Sequence, residues 1–212
     1  MNVIKKYFPQ IDDNQIMKLS LFEKLIKDWN KKINLVSRKD VENFQLNHIL
    51  HSLSISKLIS FSPKTNILDL GTGGGLPGIP LAIIFPQAEF HLIDRKEKKI
   101  KVVNKIVKEL KLTNVKADSS DLKYMNTKYD FILNRAVSST ENIIRICKNK
   151  INSNSVNKIQ NGIICLKGGD LKIELNMVKD FKILNLNEIF FEPFFETKKI
   201  IYIPNPYIRK DN

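Results

Sequence analysis

The stretch NILDLGTGGGLPGIPLAIIFP, Asn66–Pro86, leaves the chain few options. Its first half is a short apolar run carrying one acid, Asp69, and reads as a strand bound for a core. Gly71, Gly73 and Gly75 follow, and they let the backbone turn sharply and approach a ligand closely. Pro77 and Pro80 then fall where a helix begins, a position that tolerates proline because the first amides have no helical partner. Strand, glycine turn and helix start in that order open a parallel α/β sheet, whose ligands gather at the carboxyl ends of the strands. The amides left over, at Leu76 and Gly78 for example, are expected to be free to meet an anionic ligand group.

The rest of the chain agrees with a sheet of that kind. After FSPKT at residues 61–65, strand-like runs alternate with helical ones. The strands are expected at Ile67–Leu70, Phe90–Ile93, around Val115, Phe131–Leu133 and Gly162–Lys167, with helices over Lys98–Leu110 and Glu141–Ile151 among those between them. Phe181–Leu186 and Ile200–Ile203, joined by NEIFFEPFFETKK, suggest an antiparallel return at the sheet edge. The first third is helical instead. Apolar residues at Ile16, Leu19, Phe22, Ile26, Trp29 and Ile33 share one helix face, and Asp12 with Gln15 makes a capping pair. A second helix is expected from about Asp40 towards Ile59. The division that follows is a helical extension over 1–62 packed on a core domain over 63–212.

Two details narrow the ligand. A dinucleotide fingerprint wants glycine at the sixth position of the loop, where this chain has Leu76, and the Gly-Lys-Ser/Thr ending of a phosphate loop is missing. Asp69, two residues before the first glycine, would repel a pyrophosphate but pair with an ammonium. S-adenosylmethionine has no phosphate and carries an amino-acid ammonium, a ribose and a sulfonium. A further acid, Asp94, stands about twenty residues after the loop, the spacing at which a carboxylate accepts from ribose hydroxyls. The plainer alternative is an ordinary strand-to-helix turn flanked by solvated acids.

Composition bounds the partners. The 212 residues carry 35 Lys and Arg against 22 Asp and Glu, a formal charge of +13, which favours a polyanion through counterion release. A lysine-rich, solvated surface that binds nothing is the competing explanation. Two cysteines, Cys147 and Cys165, without a CxxC pattern argue against a disulfide framework or zinc ribbon, and His48 and His51 lack the spacing and third ligand of a metal site. The opening residues hold no apolar run of signal-peptide length and no segment is long enough to cross a bilayer, so a cytoplasmic location is expected.

LDLGTGGGLPGIPLA resembles the first motif of the bacterial small-subunit rRNA guanine-N7 methyltransferases, also called the glucose-inhibited division protein B family. The resemblance extends to WNKKINLVSRKD and NHILHS upstream and to NRAVSS and LKGG downstream, covering nearly the whole chain in order. It implies a Rossmann-like S-adenosylmethionine-dependent methyltransferase fold of roughly seven strands preceded by helices. It also implies an enzyme, here expected to be monomeric, that methylates one guanine of 16S rRNA. By position, Gly71 and Leu76 match cofactor contacts, Arg135 matches a site arginine, and Ser119 and Ser120 match the adenine-binding turn. Two positions depart from the pattern. Asp118 stands where the family often has arginine, and His51 replaces the acid of the usual HILDS. Asn34 and His48 belong to the family's upstream motifs and are candidates for contact with RNA or the target base; the bland reading of His48 and Ser52 is a pair of exposed polar residues on an amphipathic helix.

The residues also bear on which atom is methylated. Exocyclic amines are commonly gripped by an Asn/Asp-Pro-Pro-aromatic turn, whereas the corresponding residues here are Asn134, Arg135, Ala136 and Val137. Carbon methylation of a pyrimidine needs a cysteine nucleophile, and Cys147 and Cys165 read as buried packing residues. Guanine N7 needs neither device, since its lone pair is available at neutral pH. Catalysis would then be positioning and electrostatics, with Arg135 orienting the base or, alternatively, forming a structural salt bridge. Lys167, Lys198 and Lys199 are candidate phosphate contacts. Phe190–Phe195 could stack on bases, though packing beneath the last hairpin is favoured. The rival functions are a small-molecule methyltransferase and a non-catalytic RNA-binding or ribosome-assembly protein.

Overall fold

The computed structural model describes residues 1–37, 41–135, 139–176 and 178–205. Seven strands form one sheet: β1 (Asn66–Leu70), β2 (Glu89–Asp94), β3 (Val115–Ser119), β4 (Phe131–Arg135), β5 (Gly162–Gly168), β6 (Lys182–Asn185) and β7 (Lys198–Pro204). Their order is β3-β2-β1-β4-β5-β7-β6, with the first five strands parallel and β7 antiparallel to both its neighbours. Central strands read as apolar runs, not alternations, because both faces are covered: Phe131, Ile132, Leu133 and Asn134 are all buried. Register sets Leu70 beside Ile93 on one side and Asn134 on the other, and Asp94 beside Ser119. The strand order reverses between β1 and β4, so the ends of those strands flank a crevice.

Helices α4 (Gly78–Ile84), α5 (Glu97–Glu109), α6 (Thr140–Cys147) and α7 (Lys172–Leu175) follow strands β1, β2, β4 and β5. On α5, Ile100, Val103 and Ile106 recur at helical spacing, and this buried stripe lies on β2 and β3. One hydrophobic cluster joins a sheet face to the N-terminal segment, uniting Ile4, Phe8, Phe22 and Ile26 with Leu81, Phe90 and Phe131. A second cluster, including Leu68, Ile132, Ile143, Cys147 and Cys165, fills the other face.

The N-terminal segment begins with α1 (Asn2–Tyr7) and α2 (Asp13–Asn30). Asp12 and Gln15 form the expected reciprocal cap, with Gln15 N donating to Asp12 Oδ1 at 2.8 Å and Asp12 N to Gln15 Oε1 at 3.2 Å. Asn30 then folds the connector back: its Oδ1 accepts from Leu35 N at 2.7 Å and Val36 N at 3.0 Å. Arg38, Lys39 and Asp40 of the connector lie outside the described residues.

Three expectations change. The second helix is not uniform; it is a π turn (Gln45–Leu50), the short α3 (His51–Leu53) and a 3-10 turn (Ser54–Lys57). Ser52, Ser54 and Ser56 donate their hydroxyls to carbonyls three or four residues back, which competes with regular helical bonding. The helix expected over Glu141–Ile151 stops at Cys147, because Asn149 takes a φ of 63° and Ile151 pairs with Tyr129 beside the sheet. The Phe190–Phe195 segment divides its rings. Phe190 and Phe195 are buried and Phe190 packs edge-on against Tyr7 at 4.8 Å, while Phe191 is exposed.

Candidate active site

The glycine turn after β1 is stitched to the end of β2. Gly71 N and Thr72 N both donate to the Ile93 carbonyl at 2.9 Å. Gly73 N donates to Asp94 Oδ2 at 3.0 Å, and Lys96 N to Asp94 Oδ1 at 2.8 Å, so one carboxylate ties the two turns together. Gly73 has a φ of 58° and Gly75 a φ of 92°, the region that favours glycine. At Gly75 a Cβ would also lie 2.4 Å from Ile79 Cδ1, so this glycine lets α4 close onto the turn.

The amides expected to stay free are both occupied. Leu76 N donates to the Thr72 carbonyl at 2.9 Å, and Gly78 N donates to Asp69 Oδ2 at 2.8 Å. Thr72 Oγ1 donates to the same Asp69 oxygen at 2.6 Å. Asp69 is therefore the internal cap of α4. It is wholly buried, and its other oxygen, Oδ1, has no hydrogen-bond partner. Burial pushes its carboxyl up from 3.8 to about 6, against the bonds from Thr72 and Gly78 and the nearby Arg135 charge.

Above this turn lies a cavity of about 520 Å³. Of the sequence candidates it gathers Gly71, Gly73, Asp94, Ser120 and Arg135. Asp69 and Gly75 are buried and are not among its lining residues, and Ser119 is exposed at the end of β3. Several lining residues were not singled out from the sequence. Ile93 sits one residue before Asp94, and Asp121, which pairs with Arg95 at 2.8 Å, sits one residue after Ser120. Ile143 and Ile146 of α6 face the cavity three residues apart. The signal available for all four was adjacency to a strand end or to the residues that follow β4. Asp118 does not line the cavity. Burial opposes its charge, but Lys116 at 2.9 Å and His91 at 2.8 Å outweigh that and hold its carboxyl below the ordinary value.

Arg135 ends β4 and joins three cavities. Besides the first, it lines one of about 210 Å³ with Leu76, His48 and Gly74, and one of about 260 Å³ with His51, Lys167 and Lys198. Its Nη2 donates to His48 Nδ1. His48 is only 3% exposed and Ser52 is fully buried, so neither is the exposed polar residue that helical amphipathicity allowed. The cause is the π turn, which packs His48 against Phe44 at 4.9 Å and towards β4. Ala136, Val137 and Ser138 lie outside the described residues.

The lysines differ in their commitments. Lys167 Nζ donates to Glu174 Oε1 at 2.7 Å, an oxygen that also accepts from Thr140 N and Oγ1 at 2.6 Å each. The Lys198 ammonium sits 4.8 Å from the centre of the Phe194 ring, and Lys199 donates to the Gly169 carbonyl at 2.8 Å. Asn34 is exposed and lines none of these three cavities. Both cysteines are buried and free, and burial pushes the Cys147 thiol up and the Cys165 thiol to about 12, which makes them poor nucleophiles. Among the described residues no three His, Cys, Asp or Glu side chains come together as a metal cluster, and no helix is long and apolar enough to cross a membrane.

Comparison with known proteins places this geometry in a lineage. The family model described as rRNA small subunit methyltransferase G matches residues 15–200. The chain is 49% identical over 207 residues to the ribosomal RNA small subunit methyltransferase G of Christiangramia forsetii, covering 98% of each chain. It is 47% identical to the protein of the same name from Flavobacterium johnsoniae, covering 96% of this chain and 98% of that one. Among solved structures, a SAM dependent methyltransferase from Aquifex aeolicus matches with a TM-score of 0.54 at 14% identity, over 75% of this chain and 91% of that one, a likeness of fold. The chain belongs to the rRNA small subunit methyltransferase G family.

Proposed function

We propose that the protein transfers a methyl group from S-adenosylmethionine to N7 of one guanine in small-subunit (16S) rRNA, giving 7-methylguanosine. The observation that carries the cofactor reading is Asp69. A fully buried carboxylate whose Oδ1 has no partner, beneath a turn that lines a cavity, makes that end of the cavity favourable to a cation through its field. The ammonium of S-adenosylmethionine fits there, against the turn and not against Asp69 itself. The remaining residues fit the same molecule: Asp94 can accept from ribose hydroxyls, and Ile93, Ile143, Ile146 and Ser120 offer an apolar wall and a polar turn for adenine. When bound, S-adenosylmethionine supplies an electrophilic methyl group.

The chain's own part is orientation. Arg135, bonded to His48, presents a guanidinium to the cavities it lines, where it can donate to O6 of guanine and leave the N7 lone pair free. No proton need leave N7, which accords with a site that no cysteine lines and that relies on placement. In A-form RNA the N7 edge faces a deep groove closed to side chains, so the substrate guanine is unpaired or flipped out. The helical segment over 1–62, which supplies His48 and His51, is read as the acceptor-side wall of a methyltransferase domain over 63–212. The protein is read as a cytoplasmic monomer, with the +13 charge favouring RNA.

The test is transfer of labelled methyl to small-subunit rRNA by purified protein, with Arg135→Ala alongside. Wild-type protein is expected to label one guanine at N7. Arg135→Ala is expected to transfer at least about a hundredfold more slowly. An Arg135→Ala enzyme with full rate and full cofactor affinity would remove the assignment.

A further inference from the structure

We infer that the cavity of about 260 Å³ beside Arg135 is the pocket for the acceptor base, and that His51 reads the base by accepting its N1–H. This rests on the guanine-methylation reading and deepens it by naming where the base sits and what selects it.

His51 is the anomaly that points there. It is 5% exposed, and neither Nδ1 nor Nε2 has a hydrogen-bond partner. A buried imidazole normally spends both nitrogens, so two idle ones lining a cavity mark a place where a ligand completes the bonding. Phe194 forms another wall, its ring 5.5 Å from the His51 ring at 78°. Asn47, the end of β5 at Lys167 and Gly168, and Lys198 complete the lining. The volume falls below the range of about 300–1,000 Å³ usual for drug-sized ligands and suits one heterocycle.

Charge and chemistry separate a base from a phosphate. The charged or titratable groups around His51 are Arg135, Lys198 and His48, with Lys167 lining the same cavity and paired to Glu174. Burial, then the charges of Arg135 and Lys198, hold His51 neutral, with one N–H and one lone pair. A phosphate offers only acceptors and would leave that lone pair facing an anion. Guanine presents both kinds of group: O6 accepts, matching Arg135 and leaving the N7 lone pair free for the methyl group, while N1–H donates, matching the lone pair of His51. Because Arg135 lines the cofactor cavity as well, a base held here lies next to the place assigned to the methyl donor.

The experiment compares wild type with His51→Phe, which keeps the ring packing and removes the nitrogens. Thermal stability, S-adenosylmethionine affinity and kcat/KM on small-subunit rRNA are measured together. His51→Phe is expected to keep its fold and to bind S-adenosylmethionine within about threefold of wild type, while kcat/KM for RNA falls at least about tenfold. If His51→Phe does not fold, Phe194→Ala stands in, with the same expected split between cofactor affinity and RNA kcat/KM. As a second probe, guanosine monophosphate should inhibit transfer more strongly than inorganic phosphate. A variant that transfers as well as wild type, or equal inhibition by phosphate, overturns the pocket while methylation stands. A wild-type protein that methylates no guanine overturns the underlying reading instead.

Discussion

Asp69 and His51 are both buried ionisable side chains with unused hydrogen-bonding capacity, and they make opposite predictions with pH. The Asp69 carboxyl is raised to about 6 from 3.8, so the native state holds its proton more tightly than the unfolded chain. Its stabilising contribution is complete below about pH 4 and is lost as pH rises through 6, a loss of about 3 kcal/mol. Asp69→Asn should therefore melt higher than wild type at pH 8, with the difference vanishing towards pH 4. The same variant should bind S-adenosylmethionine at least about tenfold more weakly, because the ammonium loses its counter-charge. Unchanged affinity by calorimetry would reduce Asp69 to a helix cap. His51 runs the other way. Its folded pKa lies well below 6.5, so the unfolded chain binds the extra proton and stability falls as pH drops below 6.5. His51→Phe should flatten that acid limb in melts between pH 7 and 5. At this scale the sequence was partly legible. Motif spacing pointed to Gly71, Gly73 and Asp94 and the family resemblance to Arg135, and all four line one cavity. The fate of the Leu76 and Gly78 amides was not legible, because it depends on which carbonyl and which carboxylate reach them first.

Elements held by local rules were easier to read than those held by distant contacts. The α2 cap was legible because a capping box is a four-residue affair. The π turn was not, since residues from Gln45 to Leu50 scan as ordinary helix and carry no local signal for a wider pitch. Nothing in the sequence couples Tyr7 to the 190s. In the structure Tyr7 Oη donates to Glu192 Oε2 at 2.7 Å and accepts from Phe191 N at 3.0 Å, pinning α1 to the turn that carries Phe194. Tyr7→Phe should cost about 1–2 kcal/mol in denaturant unfolding. It should also weaken rRNA methylation more than cofactor binding, since it loosens the Phe194 side of the site. At the turn into α4, Gly75→Ala combines a φ of 92° with a 2.4 Å collision. It should destabilise by at least about 2 kcal/mol, read as a fall in melting temperature.

At the scale of the whole molecule, strand order places every proposed cofactor contact at one end of the sheet, and the N-terminal segment closes the side facing Arg135. The parallel sheet and its antiparallel return were legible from alternating patterns and the run of apolar strands. The packing of the N-terminal helices on the sheet through a shared core was legible only as an expectation, because the apolar stripe of α2 shows that a face is buried but not against what. With a formal charge of +13, binding to rRNA should weaken steeply and log-linearly with salt, while S-adenosylmethionine affinity should change little. The most direct measurement is chemical mapping of 7-methylguanosine in small-subunit rRNA after incubation with purified protein and S-adenosylmethionine. A single modified guanine, lost when the cofactor is withheld, is predicted. Methylation at a different atom, labelling of guanines locked in regular duplex, or no labelling of rRNA at all would contradict it.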